Sequence, residues 1–269
     1  MSKVLSISKF VVKKAYAKLL FVYYSVLGRK VECNICNYKA GKLISDKWHL
    51  YSKCPDCGSD VRHRLLWAAL TFLNDFSFDK LIKEKKILHF APEKLLEKRL
   101  KKLTLTYKTA DFFTEGYSYG KIDYNLDISN MKHIPDQTFD CVIACDVLEH
   151  VIRHKEGMKE VYRVLSNNGY CIFTVPQKDN LKETYEDFSI TDVKERETIF
   201  GQYDHLRIYG VDFTTMLKDA GFLVTAINES FFEKEIIEKY VLVPPILSKN
   251  PLATNYRSIF FGQKLIKSK

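Results

Sequence analysis

Residues 139–176 read FDCVIACDVLEHVIRHKEGMKEVYRVLSNNGYCIFTVP. The run Cys141–Cys145 is apolar enough for a buried strand, and it ends at the polar cluster Asp146, Glu149 and His150. The pattern predicts a helix over Glu156–Leu165, a Ser-Asn-Asn-Gly turn, and a second buried strand over Tyr170–Val175 that Pro176 stops. Strand, helix and strand in this order form a βαβ unit, the building block of parallel sheets. Open α/β sheets bind their ligands outside the carboxyl ends of the strands. The polar cluster therefore lies where chemistry is expected.

Working outward, Lys86–Phe90 (KILHF) reads as the first strand of the sheet, followed by Ala91-Pro92-Glu93 and a helix to about Leu103, with Pro92 in its first turn. A second strand over about Tyr107–Thr109 leads to Asp111, 18 residues after Glu93, a spacing at which a carboxylate can accept hydrogen bonds from ribose hydroxyls. Asp123–Leu126 is the third strand, followed by Asp127 and Ile128. Val211–Ala220 reads as a helix closed by Gly221, and Phe222–Ile227 and Ser258–Leu265 as two further strands. Residues 183–213 mix charged, aromatic and glycine residues without clear period, the texture of a functional loop. Tyr240–Tyr256, with its Pro-Pro pair, reads equally as a lid, a dimer contact or a plain loop.

The wording D-V-L-E-H at Asp146–His150 and R-V-L-x-x-x-G at Arg163–Gly169 resembles the class I S-adenosylmethionine (SAM)-dependent methyltransferases. A bacterial subgroup of that family also carries CPxCGSxxRHR, here Cys54–Arg64, an A-P-E turn, here Ala91–Glu93, and the cluster YED…ER…FGQxDHxRxYGxDF. The resemblance covers about residues 33–225. It implies a Rossmann-like α/β fold with a seven-stranded sheet, and SAM as cofactor. It implies that Phe90, Ala91, Pro92 and Glu93 form the cofactor loop, that Asp127 meets the adenine amino group with Ile128 flanking the ring, and that Asp146 lies near the methionine end. One departure stands out: the first turn is glycine-rich in most of the family, whereas here it holds no glycine, and His89 occupies a place where an acid is common. In the segment Asp204, His205, Arg207 and Tyr209, His205 is the first candidate base because an unperturbed histidine titrates near neutrality, and His150 is the second. Asp204 could orient an imidazole and Arg207 could hold an anionic acceptor.

Seven cysteines in 269 residues are too few for a disulfide scaffold. Four of them, Cys33, Cys36, Cys54 and Cys57, give C-x2-C-x17-C-x2-C, the spacing of a structural zinc site in a zinc-ribbon-like module. About 25 residues cannot bury a core of their own, so the metal would supply folding energy. Cys141, Cys145 and Cys171 sit in apolar strands and read as small buried hydrophobes. Arg62-His63-Arg64 begins a helix to about Leu73 and reads as packing for the module or as contacts to an anionic substrate.

The chain has 42 basic and 33 acidic residues, a net +9, but seven bases and no acids fall in residues 1–30. The remaining 239 residues are nearly neutral, which argues against a nucleic-acid-binding face. On a helical wheel the first 27 residues divide, with Val4, Val11, Leu19, Val22 and Val26 on an apolar half and Lys3, Lys9, Lys13, Lys14 and Lys18 opposite. This basic amphipathic helix has three readings: a membrane-interface contact through residues 1–28, packing on protein, or a cleaved signal. Its longest apolar run, Leu19–Leu27, is far short of the ~20 residues needed to span a bilayer. The expected divisions are thus the helix 1–30, the zinc module 31–62 and a methyltransferase domain 63–269. The expected place is the cytoplasm, with the inner membrane face as the site of any peripheral contact. Three functions follow: a methyltransferase for a small-molecule, sugar or lipid-linked acceptor, acting on oxygen; a zinc-containing RNA methyltransferase; or a non-catalytic SAM-fold scaffold.

Overall fold

The computed structural model describes residue 19 and residues 22–26, 28–113 and 122–266. They fall into two compact units, one made of residues up to 67 together with 229–249, the other of 68–228 and the chain from 250 on. The compact units thus divide the chain differently from the expected segments 31–62 and 63–269.

The second unit is built on a seven-stranded sheet. Its strands are β3 (Lys86–Phe90), β4 (Thr106–Asp111), β5 (Tyr124–Asn125), β6 (Phe139–Cys145), β7 (Leu165–Thr174), β10 (Leu223–Ile227) and β11 (Ile259–Gln263). They lie in the order β10-β11-β7-β6-β3-β4-β5. The five strands from β5 to β7 are parallel, and β11 runs antiparallel between β7 and β10. Strand side chains alternate between faces. Leu88, Phe90, Val142, Ala144 and Phe173 pack on one face with Met158, Val161 and Val164 of the helix His154–Val164 and with Phe213 and Leu217 of the helix Phe213–Asp219. The alternate residues Ile87, His89, Cys141, Ile143 and Ile172 are equally buried. This is the Rossmann-like sheet expected, and Cys141, Cys145 and Cys171 are buried in it as free thiols.

Details differ where local chemistry prevails. Pro92 precedes its helix, which begins at Lys94 with Glu93 at the N-cap and runs only to Leu100. The expected turn Ser166–Gly169 is drawn into β7, with Asn168 at φ 62°. Gly169 has no room for a side chain, since a Cβ there would lie 2.8 Å from the Ser166 carbonyl oxygen. Residues 183–213 are ordered: β8 (Tyr185–Glu186) pairs with β9 (Arg207–Ile208) across a helix, Val193–Phe200. Asp192 caps that helix by accepting from the Lys194 and Glu195 amides, and Gly201 ends it at φ 89°.

The first unit holds the hairpin of β1 (Val31–Glu32) and β2 (Lys39–Ala40), the start of the helix Val61–Phe72, and the returning helix Lys234–Tyr240. Tyr240–Val241 and Ile246 lie within it: Ile246 bridges to Leu50, and the carbonyls of Tyr240 and Val241 accept from Arg64. Arg64 is wholly buried and also donates to the Ser59 and Ser52 carbonyls. Packing is therefore its role. Of the expected amphipathic helix over residues 1–27, most lies outside the described residues; residues 22–26 are helical, and Leu19, Val22, Tyr23 and Val26 are exposed. No described helix is long and apolar enough to cross a membrane.

Removing the Arg64 side chain would take hydrogen bonds from four backbone carbonyls at once, so Arg64→Ala should destabilise the first unit by about 3 kcal/mol or more, with Arg64→Lys recovering only part. Both tryptophans, Trp48 and Trp67, lie in this unit. The denaturant midpoint of tryptophan fluorescence reads the loss directly.

Candidate active site and cysteine cluster

The carboxyl ends of β3 and β6 lie side by side in the sheet, and the residue after each strand takes a left-handed backbone: Ala91 at φ 45° and Asp146 at φ 52°. That region favours glycine, and other residues hold it only when their surroundings impose it. Ala91 is pinned by its amide bond to the Ala110 carbonyl, Asp146 by its amide bond to the Thr174 carbonyl. The glycine-free turn thus reaches the backbone shape a glycine would give.

These turns open a pocket of about 890 Å³, in the range of small-molecule sites. Phe90, Ala91, Pro92, Asp111, Asp127, Ile128 and Asp146 line it, as do His150 and Asp204. Of the expected cofactor residues only Glu93 is absent from the lining; its neighbour Lys94 takes the place. Sequence reasoning missed Phe112, Val147, Ile152 and Arg153, whose only signal was adjacency to the strand ends.

Four carboxylates face this space against Lys94 and Arg153. Such a lining suits a cationic ligand and opposes a pyrophosphate. Burial raises the Asp111 pKa above the ordinary range, with one oxygen held by the Phe112 amide. One Asp127 oxygen accepts from the Ser129 amide and hydroxyl, while the other lies 3.9 Å from Arg153. Asp146 accepts from the Thr174 hydroxyl at 2.8 Å.

The turn Leu148–His150 brings three further groups together. Nε2 of His150 lies 4.0 Å and Nε2 of His205 3.9 Å from the same oxygen of Glu149. The two rings meet edge to face with centroids 4.8 Å apart. Nδ1 of His205 donates to the Phe200 carbonyl at 3.0 Å, which leaves the lone pair on Nε2; Nδ1 of His150 lies 3.4 Å from Asp204. Burial, and then the neighbouring His150, pull the His205 pKa down to about 4, so its imidazole is neutral at pH 7.

Two expected site residues stand elsewhere. Arg207 is fully buried and spends its donors on Glu186 and on the carbonyls of Leu148, Val151 and Ile152, so no face of it is offered to an anionic acceptor. Tyr209 is also fully buried, with its hydroxyl 2.9 Å from Nδ1 of His154 and its ring against Phe213. Both hold the site together from behind. Gly210 belongs to the same support: a Cβ there would sit 2.7 Å from the Leu181 carbonyl oxygen. His89 is buried against the Tyr107 hydroxyl and does not line the pocket.

In the first unit, Cys33, Cys36, Cys54 and Cys57 gather their sulfurs within 4.8 Å of one another. Cys33–Cys57 and Cys36–Cys54 are 3.6 and 3.7 Å apart. Sulfurs placed tetrahedrally at about 2.3 Å from one ion stand about 3.75 Å apart, so the donor set and its spacing fit zinc. The two knuckles match: Asn37 at φ 62° follows the first pair as Gly58 at φ 76° follows the second, and each closes on the carbonyl of its leading cysteine.

Comparison with known proteins agrees with this geometry. Residues 104–173 match the Methyltransf_11 family, described as a methyltransferase domain. The chain resembles the solved CurJ carbon methyltransferase at a TM-score of 0.50 and 14% identity, covering 77% of this chain and 56% of that one. It also resembles the Burkholderia thailandensis 1,6-didemethyltoxoflavin-N1-methyltransferase, solved with S-adenosylhomocysteine, at 0.47 and 10%, over 75% and 79% of the two chains. An uncharacterized protein of Methanocaldococcus jannaschii, MJ0638, is 41% identical over 66 residues, which are 23% of this chain and 29% of that protein. The strand order is that of the class I methyltransferase fold, and residues 104–173 carry a methyltransferase domain, the domain of an enzyme, which favours catalysis over the scaffold reading.

Burial lowers the pKa of His89, His154 and His205 alike to about 4, from an ordinary value near 6.5. Folding therefore favours their neutral forms. The stability this gives is complete above pH ~6.5 and drains away as pH falls toward 4. Thermal midpoints measured across that interval should decline steadily; a flat profile would show that these imidazoles are not held neutral.

Proposed function

We propose that the enzyme methylates a hydroxyl of a small-molecule, sugar or lipid-linked acceptor, and that Glu149, His150 and His205 receive its proton. The observation that carries this is the clustering of the three groups, of which His150 borders a carboxylate-lined pocket. When bound, SAM would supply a sulfonium methyl group whose carbon an acceptor oxygen attacks in line, with S-adenosylhomocysteine as the leaving group. Asp111 would hold the ribose, Asp127 and Ile128 the adenine, and Asp146 the methionine end, with the positive sulfonium balanced by the surrounding carboxylates. A neutral His205, with its Nδ1 proton on Phe200, offers Nε2 as base. His150, tied to Asp204, lies between that base and the pocket.

The same carboxylates repel a polyanion, which supports a neutral acceptor over RNA. The exposed residues Leu19, Val22, Tyr23 and Val26, one apolar face beside a lysine-rich segment, support an acceptor met at a membrane surface. The cysteine cluster would hold one structural zinc ion, with all four positions filled by protein and none left for catalysis.

Elemental analysis should give roughly one zinc per chain in the wild type and less than a tenth of that in Cys54→Ser, whose first unit should unfold. A metal-free wild type with unchanged melting would refute the zinc assignment. Asp111→Ala should weaken S-adenosylhomocysteine binding at least tenfold in calorimetry with the zinc content intact. Transfer of labelled methyl from SAM to glycans and lipid-linked sugars, against RNA as control, tests the acceptor class. Label appearing on RNA alone would overturn it.

A further inference from the structure

We propose that Glu149, His150 and His205 bind one divalent transition-metal cation at the acceptor side of the pocket. Two imidazoles and one carboxylate form a donor set suited to ions such as manganese, iron or cobalt. Both Nε2 atoms approach the same Glu149 oxygen, at 3.9 and 4.0 Å, and the three ligand atoms all lie within 4.8 Å of one another. Ligands around one ion at about 2.1 Å stand roughly 3.0–3.5 Å apart, so a small closure of the two rings would complete the site.

The outer contacts match those that metal-bound histidines use. His205 gives its Nδ1 proton to the Phe200 carbonyl, and His150 turns its Nδ1 to Asp204, an arrangement in which Nε2 of each ring carries the lone pair. Glu149 is 1% exposed, and a carboxylate in so water-poor a place attracts a nearby cation strongly. The turn that carries it is held on two sides, by the Leu206 amide on the Glu149 carbonyl and by Arg207 on the Leu148 and Val151 carbonyls. Three protein ligands leave coordination positions free, and His150 borders the pocket, so a hydroxyl oxygen can reach them.

The ion's role rests on the methyl-transfer reading; its binding does not. A bound ion would polarise a coordinated acceptor hydroxyl, and the proton would then pass to water rather than to the three groups that hold the ion. The oxygen then forms the new C–O bond as the sulfur–methyl bond breaks, leaving S-adenosylhomocysteine. His150 and His205 act as ligands in this scheme.

The test is titration of Mn²⁺ into the zinc-replete full chain, following the paramagnetic resonance signal of free Mn²⁺. One ion per chain is expected. His150→Asn, at a partly exposed ring, and Glu149→Gln should each weaken binding at least tenfold, with zinc content and metal-free melting unchanged as the check on folding. No uptake of Mn²⁺ or Co²⁺ by the wild type, or equal uptake by a folded His150→Asn variant, would overturn the site. Because neither cofactor nor acceptor is present, uptake of Mn²⁺ by a chain that binds no S-adenosylhomocysteine would uphold the site and sink the methyl-transfer reading instead.

Discussion

The buried guanidinium of Arg207 is the constraint on which the active site depends. It reaches from β9 to the carbonyls of Leu148, Val151 and Ile152 in and after the turn that follows β6. A charge so deeply buried persists only when its donors are met, and Glu186 supplies the counter-charge at 2.8 Å. The bond network fixes the Glu149–His150 turn against the strand that follows His205. Two segments more than fifty residues apart are thereby held in contact, and the imidazoles of both come to face one carboxylate.

The cofactor edge rests on a different device. Ala91 and Asp146 take a backbone shape that costs side-chain residues about 1–3 kcal/mol. Each is compelled by a strand on one side and a paired amide on the other. The two turns leave room for a ligand of nucleoside size and surround it with carboxylates, so that a sulfonium is welcomed where a phosphate would be repelled. Fold and charge distribution point to the same cofactor by independent routes.

Much of the fold was legible in sequence because the sheet is buried on both faces. Continuous apolar runs such as Lys86–Phe90 mark a strand with the boundaries the structure shows. Three of the pocket-lining acids, Asp111, Asp127 and Asp146, were legible for a related reason, since each lies at or within two residues of a strand end. The helix Val193–Phe200 was not, because its apolar side is only partial and the stretch around it is crowded with charge; its cap residues Asp192 and Gly201 were the signal available. Arg207 and Tyr209 illustrate a deeper limit. Polar residues in a motif read as reactive, yet these two are buried ties whose partners, Leu148 and His154, lie more than fifty residues away and form no local pattern. The meeting of Glu149 and His205 is equally non-local.

The most direct test of the account is a crystal structure of the zinc-loaded chain with S-adenosylhomocysteine. The ribose is predicted on Asp111, the adenine beside Asp127 and Ile128, and the sulfur facing His150. Ligand density away from the carboxyl ends of β3 and β6, or a sulfur turned from His150, would contradict it.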